Sequence, residues 1–294
     1  MSVGRDDLLL LLTNAVYGTG YAAQREALAG VPPGLLALIR LAVASVILLP
    51  FLRRAAGTRP APGDGLKIFW MGVLGFGVAY VLSHVGLQRS TATNAALLIT
   101  LEPVSMMLLS PVFLGERLRR REEVGAALVL AGAVLVVLDG VPGMTVALLP
   151  HWRGDALLLL SALAFASYSL FGRHVLARWD PRTVTARSIL WGAASMAPVA
   201  ALEWAGGARP TWTLPGTTAT LYLAVVVTAL AYLAWNAALA RVSAPRAAIF
   251  INVQPVVGVA LGIWLLGETA SLYTLIGAVL VLGGLAVTSS NAAT

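Results

Sequence analysis

Cysteine is absent from the 294 residues, which removes disulfides, thiolate nucleophiles and cysteine metal ligands together. Lysine is nearly absent as well: Lys67 is the one lysine among 20 basic residues, and the rest are arginines. Charged residues make up 11% of the chain, against about 25% in soluble domains. His84, His151 and His174 are too dispersed in sequence for a metal cluster. Neither H-E-x-x-H, G-x-S-x-G nor G-x-x-x-x-G-K-[ST] occurs, so no zinc-hydrolase, nucleophile-elbow or nucleotide-binding signature is present. No metal, no cofactor and no enzymatic reaction are expected.

What is present is apolar. Hydrophobic residues reach 59% and the mean hydropathy is +0.84, the composition of a membrane protein. A net charge of +7 could point to nucleic acid, but the arginines stand singly or in short loop clusters, so topology explains them and no nucleic-acid partner is expected. The apolar run 8–12 after Arg5 imitates a signal peptide; the same segment recurs at 154–176, so it is read as part of the fold.

Loops rich in Arg, Pro and Gly divide the chain into ten apolar segments of about 20 residues, the length that crosses a bilayer. They run over 7–27, 34–52, 66–88, 91–112, 122–138, 154–174, 182–202, 216–239, 243–266 and 271–289. Lipid offers the backbone no hydrogen-bond partners, so each is expected as a helix. The fold expected is an all-α integral membrane protein of ten transmembrane helices.

The sequence contains itself twice. Residues 96–137 align with 248–289 at a constant offset of 152, with 14 identities in 42 positions. The telling matches punctuate helices: Pro103 on Pro255, Gly115-Glu116 on Gly267-Glu268, Gly125 on Gly277 and Gly132 on Gly284. Upstream, at an offset of 148, Asp7 meets Asp155 and Pro33 meets Pro181; at 152, Tyr80 meets Tyr232. The chain therefore reads as two five-helix units, 1–140 and 150–294. Five is odd, so the second enters the membrane from the opposite face, an inverted repeat.

Thirteen basic residues fall in or beside loops on the side of the N-terminus and four on the other, which places both termini in the cytoplasm by the positive-inside rule. GERLRRREE after the fourth span is basic, whereas its repeat partner GETAS has no basic residue, as opposite orientations require. The fifth and tenth spans carry paired glycines and little that is polar in their middles, and read as scaffold or dimer-contact elements outside any pathway. A monomer or weak homodimer is expected.

An ionisable group at membrane depth costs about 2.5–3.5 kcal/mol on insertion scales and is a functional candidate by default. Glu102 lies near the midplane of the fourth span beside Pro103, which loosens the helix; it is either a protonatable or substrate-binding acid, or a structural one satisfied by freed backbone or by Arg40. Arg40 is either a carboxylate-reading group or a snorkelling residue near the interface. Tyr80 and His84 are one turn apart, and the repeat puts Tyr232 and Asn236 at the same positions. They read as a lining face, with packing the alternative for the tyrosines and solvation the favoured one for His84. Asn14, Tyr17 and Tyr21 share a face of the first span, matched in the sixth by Ser161, Phe165, Tyr168 and Ser169. Trp191 and Trp235 are candidates to stack on a ligand, while Trp70, Trp152, Trp204 and Trp212 read as interfacial belt residues. Asn252 and Gln254 precede Pro255 in register with Thr100 and Glu102. Two Pro-interrupted helices presenting polar groups at matching depth are the pattern of a transporter's central site.

With LEPVSMMLLSPVFLGE in one half and VQPVVGVALGIWLLGE in the other, the chain resembles the EamA family of the drug/metabolite transporter superfamily over nearly its whole length. The resemblance implies a bacterial inner-membrane exporter of small metabolites, with a cavity between helices 1–4 and 6–9, and within the family is most similar to the YddG-type aromatic amino-acid exporters. Gln254 departs from the pattern, so any proton coupling rests on Glu102. The expected function is export of aromatic or large neutral amino acids by alternating access. The substrate-binding candidates are Asn14, Tyr17, Arg40, Tyr80, His84, Glu102, Tyr168, Trp191, Trp235, Asn236 and Gln254. Alternatives are a multidrug or nucleotide-sugar carrier, a membrane-embedded enzyme, or a structural membrane protein.

Overall fold

The computed structural model describes residues 5–53, 60–114, 118–139, 151–239 and 250–289. Among them every regular element is a helix and no strand occurs. The chain runs through α1 (Arg5–Leu28) and α2 (Pro33–Leu48, continued by a 3-10 turn) to α3 (Asp64–Gly72) and α4 (Ala79–Gln88), which a π-helical stretch, Val73–Val78, joins into one rod. Then come α5 (Ala92–Ile99), α6 (Glu102–Leu114) and α7 (Arg120–Asp139). After α8 (Trp152–Leu176) and α9 (Pro181–Ala205), a second π stretch, Leu223–Leu230, joins α10 (Leu214–Tyr222) to α11 (Ala231–Leu239). The last elements are α12 (Val253–Trp264) and α13 (Leu272–Ser289). Pro33–Phe51, Asp64–Gln88, Trp152–Gly172 and Leu214–Trp235 are each long and apolar enough to cross a membrane.

Local chemistry sets the starts. Pro33 and Pro181 open α2 and α9, where a missing N–H is not missed. Thr91 and Thr213 accept from the amides of Asn94 and Gly216 at the N-caps of α5 and α10.

The fourth span differs from the sequence reading. It is two helices, broken at Thr100 and Leu101, and Pro103 is the second residue of α6. There it interrupts no helical hydrogen bond, because the first amides of a helix have no intrahelical partner. A turn at Asn252 breaks the ninth span at the equivalent place, so Gln254 and Pro255 fall in the first turn of α12 as Glu102 and Pro103 fall in that of α6. Residues 243–249 of that span, and Gly115-Glu116, lie outside the described residues.

Elements of the first half pack mainly on elements of the second: α7 on α13, α2 on α9, α4 on α8, and both α1 and α5 on α12. The glycines of the fifth and tenth spans are used within the chain. A Cβ on Gly132 would lie 2.6 Å from the carbonyl oxygen of Gly277, and one on Gly284 the same distance from that of Gly125, so these glycines let α7 and α13 touch backbone to backbone.

Cross-half hydrogen bonds gather at the end of the bundle away from the termini. The Glu203 carboxylate accepts from the amides of Gly34 and Leu35 at 2.8 and 2.9 Å, and Glu268 from those of Ala92 and Thr93 at 2.7 and 2.8 Å. Each acid, from the second half, neutralises the exposed N–H groups and positive dipole end of a first-half helix. The Thr211 amide donates to Gly30 O at 2.8 Å between them. Near the other end, Asp64 pairs with Arg178 at 2.5 Å and accepts from Trp179 Nε1 at 3.0 Å.

Candidate functional site

In the middle of the bundle an aromatic cage is built on one ring. Phe76, in the first π stretch, lies edge-on to Tyr168 and Tyr232 with centroids 5.2 Å apart and to Tyr80 at 6.0 Å. Tyr17 meets Tyr232 at 5.5 Å and Phe165 meets Tyr80 at 5.7 Å, so the cage draws on α1, α4, α8 and α11 as well. Edge-to-face pairs of this kind hold rings in defined places. The Tyr17 hydroxyl is buried and makes no hydrogen bond among the described residues. A π stretch carries an extra residue per turn and turns side chains that a regular helix would direct elsewhere. Phe76 and Thr228, which occupy the two π stretches, are repeat equivalents at the offset of 152.

One side of the cage is cationic. Arg40 is 4% exposed and its guanidinium lies 4.2 Å over the Tyr80 ring. Nη1 donates to Gln24 Oε1 at 2.8 Å and to His84 Nε2 at 3.0 Å, and Nε donates to Thr228 Oγ1 at 3.3 Å. Gln24 Nε2 donates in turn to Ser83 Oγ at 3.0 Å. His84 lies 2.9 Å by Nδ1 from Pro33 O, an acceptor, so Nδ1 carries the proton and Nε2 receives from Arg40. The favoured reading of His84 as solvated is corrected: it is fully buried, because Arg40 and the Pro33 carbonyl saturate both its nitrogens. Arg40 does not snorkel either.

The other side is acidic. Glu102 is half-buried at the first position of α6, where the helix dipole favours a negative charge, and accepts from Ser169 Oγ at 3.4 Å. Among the described residues no ion pair joins Glu102 to Arg40, so that partnership, an alternative in the sequence reading, does not form. Glu102 lies within electrostatic reach of Tyr17 and Tyr232.

Tyr17, Tyr80, Tyr168, Arg40 and His84 thus come together, with Glu102 alongside. Asn14 and Gln254 instead pair with each other across the halves: Gln254 Nε2 donates to Asn14 Oδ1 at 2.8 Å while Asn14 Nδ2 donates to Leu10 O at 2.7 Å. Trp191 stands apart, 44% exposed on the outer surface against Phe69. Trp235 packs with Leu10 and Ala238. The Asn236 side chain lies outside the described residues. Phe76, Gln24, Ser83 and Thr228 were missed. For Phe76 a signal existed: it is one turn before Tyr80 and equivalent to Thr228, which is one turn before Tyr232.

Comparison with known proteins decides the family. The EamA-like transporter family matches residues 5–138 and again residues 152–290. The chain belongs to that family. It is a multi-pass membrane protein of the transporter class. A protein of Streptantibioticus cattleyicolor named a probable terminal-alkyne amino-acid exporter is 30% identical over 276 residues, 94% of this chain and 90% of that protein. A probable amino-acid metabolite efflux pump of Salmonella typhimurium is 28% identical over 96% of this chain and 93% of its own length. An uncharacterised transporter of Archaeoglobus fulgidus is 28% identical over 95% and 96%. A crystal structure with 22% identity superposes with a TM-score of 0.67, covering 99% of this chain and 98% of the other, which shows the fold.

In this EamA-family chain the Gly-Glu landmark of the second half has a visible job. Gly267 has φ +67°, a left-handed conformation that glycine alone adopts freely, and the turn carries Glu268 back onto α5. Beside it the Asp155 carboxylate accepts from Ser90 and, at 2.6 Å, from His151 Nδ1. That contact raises the His151 pKa above its ordinary 6.5.

Proposed function

We propose that this protein is a secondary transporter that exports small metabolites, with aromatic or large neutral amino acids as substrates, by alternating access around the central cage. The observation that carries the reading is the cage itself: a ring of tyrosines set between a buried cation, Arg40, and an acid, Glu102. A zwitterion with an apolar side chain offers the complementary pattern, a carboxylate, an ammonium and a surface for aromatic contact. The names of the amino-acid exporter and efflux-pump relatives support it.

The machinery we propose is ten spans in two inverted units, 1–140 and 150–294. The contacts support it, because they occur in symmetric pairs. α1 packs on α10 and α11 as α8 packs on α3 and α4; α1 packs on α12 as α8 packs on α5 and α6. The contacts of α2 with α9 and of α7 with α13 map onto themselves. The basic loops support placing both termini in the cytoplasm of a bacterial inner membrane. Only one half supplies an acid at the midplane, since Gln254 is neutral and satisfied by Asn14. Proton coupling, if the export is driven, therefore runs through Glu102, and no chemical conversion is proposed.

The test is efflux of labelled phenylalanine, tryptophan, threonine and methionine from loaded proteoliposomes, with and without a pH gradient, for wild type and Glu102→Gln. Gradient-dependent efflux of phenylalanine and tryptophan that Glu102→Gln uncouples is the expected result. Absence of movement for every amino acid overturns the substrate class and favours a drug or nucleotide-sugar cargo.

A further inference from the structure

Arg40 is held by neutral groups alone. A cation taken into a low-dielectric interior costs several kcal/mol after relaxation, and proteins normally offset that with a carboxylate or by snorkelling the charge to water. Arg40 does neither: it is 4% exposed, and no acid pairs with it among the described residues. Its surroundings are instead arranged to fix it. Thr228 takes Nε, Gln24 and His84 take Nη1, and Tyr80 covers one face of the plane. Gln24 and His84 are themselves anchored, by Ser83 and by the Pro33 carbonyl. Tyr80 is a side-chain hydrogen-bond partner of the guanidinium as well, so every polar partner of Arg40 among the described residues is neutral and what its site lacks is a countercharge.

We infer that Arg40 is the receptor for the substrate's carboxylate, and that the site therefore requires a monocarboxylate: it takes an amino acid or an aryl-substituted organic acid and refuses the corresponding amide. The inference takes its amino-acid class from the export reading above. A carboxylate brought to the guanidinium supplies the missing countercharge where it is least screened, and the planar group is suited to it. An amide brings no charge and sets an NH2 donor against the guanidinium. Gln24 and His84 act as positioning residues, since they touch Arg40 and keep its plane against Tyr80.

The experiment compares phenylalanine with phenylalaninamide in proteoliposome efflux, and 3-phenylpropionate with 3-phenylpropanamide in thermal-shift titrations of the purified full chain, for wild type, Arg40→Gln and Arg40→Lys. In wild type the acid is preferred roughly 100-fold over the amide, the order expected when a buried charged group loses the charge of its partner but keeps a neutral hydrogen bond. In Arg40→Gln that preference collapses to near unity, with the loss in KM for phenylalanine; Arg40→Lys, which keeps the charge without the fork, recovers part of it. A purely structural Arg40 gives a different result: both ligands weaken together and their ratio stays put. Equal handling of acid and amide by wild type overturns the inference while leaving amino-acid export standing. If no amino acid moves, export falls, and the thermal shift still decides the inference: stabilisation by 3-phenylpropionate that Arg40→Gln abolishes upholds it, and no preference over the propanamide overturns it.

Discussion

Glu268→Gln tests whether the carboxylate that ties the two halves together holds one end of the protein shut. Oε1 accepts from Ala92 N at 2.7 Å, and Oε2 accepts from Thr93 N and Thr93 Oγ1 at 2.8 Å each. An amide at this position keeps one acceptor and turns its NH2 toward donors. Hydrogen bonds to a charged group contribute about 1.5–3 kcal/mol each, and a charge at a helix N-terminus about 0.3–1 kcal/mol. Glu268 is only half-buried and water replaces part of what is lost, so we set the cost at about 2–3 kcal/mol. That shifts the ratio of open to closed ends by roughly 30- to 150-fold. The chain has no cysteine, so Val31→Cys, at a site 2% exposed near this end, gives a single label position. Its rate of reaction with a membrane-impermeant maleimide should rise by that factor on adding Glu268→Gln. A rate unchanged by Glu268→Gln, in protein whose thermal midpoint is also unchanged, would falsify the assignment of Glu268 as a latch.

Two further outcomes follow from packing and from charge. Gly132→Val places atoms 2.6 Å from Gly277 O and 2.9 Å from Val281 N, both backbone, and should cost about 1–3 kcal/mol of stability in detergent. Gly283→Ala, which meets nothing within 4 Å, is the control and should shift the thermal midpoint little; equal effects of the two would refute the glycine seam. His151 has a folded pKa raised above 6.5 by Asp155, so the stability that its charged pair contributes is complete below that value and is lost as pH rises through the raised one. The thermal midpoint of wild type should therefore fall on going from about pH 6 to about pH 8 relative to that of His151→Gln. Parallel pH curves for the two proteins would remove the pair from the account.

The residues legible in sequence were those that break the apolar background. Pro103, Pro255 and Gly267-Glu268 stand out because helices tolerate them in few places, and they mark the turns at Thr100 and Asn252 and the cap on α5. Arg40 and Glu102 stand out because charge at membrane depth is costly. Apolar residues carry no such mark. In a soluble helix the wet face is polar and betrays the dry one, but lipid is as apolar as a protein core, so the same pattern fits either side. Nothing in sequence separates Trp191, on the outer surface, from Phe76, at the centre of the cage. The π stretches are hidden for a related reason: an extra residue in a uniformly apolar run leaves the pattern unchanged. His84 was misjudged because depth along a helix was taken as distance from water, whereas Pro33 and Arg40 close over it.

The polar contacts of the structure divide by what water can do for them, and the division matches what the proposed alternating access needs. Glu203 and Glu268 hold helix N-termini at an end of the bundle, half-exposed. When such a contact parts, water solvates the carboxylate and the amides alike, and the net loss stays at a few kcal/mol, small enough for a cargo or a gradient to supply. The contacts around Arg40 are different. Arg40, His84 and Ser83 are buried, and breaking their bonds with no water at hand would strand donors and a charge in a dry interior. A motion that separates the halves therefore runs through the hydratable caps first and leaves the bonds among Arg40, Gln24, Ser83 and His84, all in the first half, assembled. In that case Arg40 travels with its first-half holders Gln24, His84 and Tyr80, and opening costs what the caps cost together with the 3.3 Å contact of Arg40 with Thr228 of the second half.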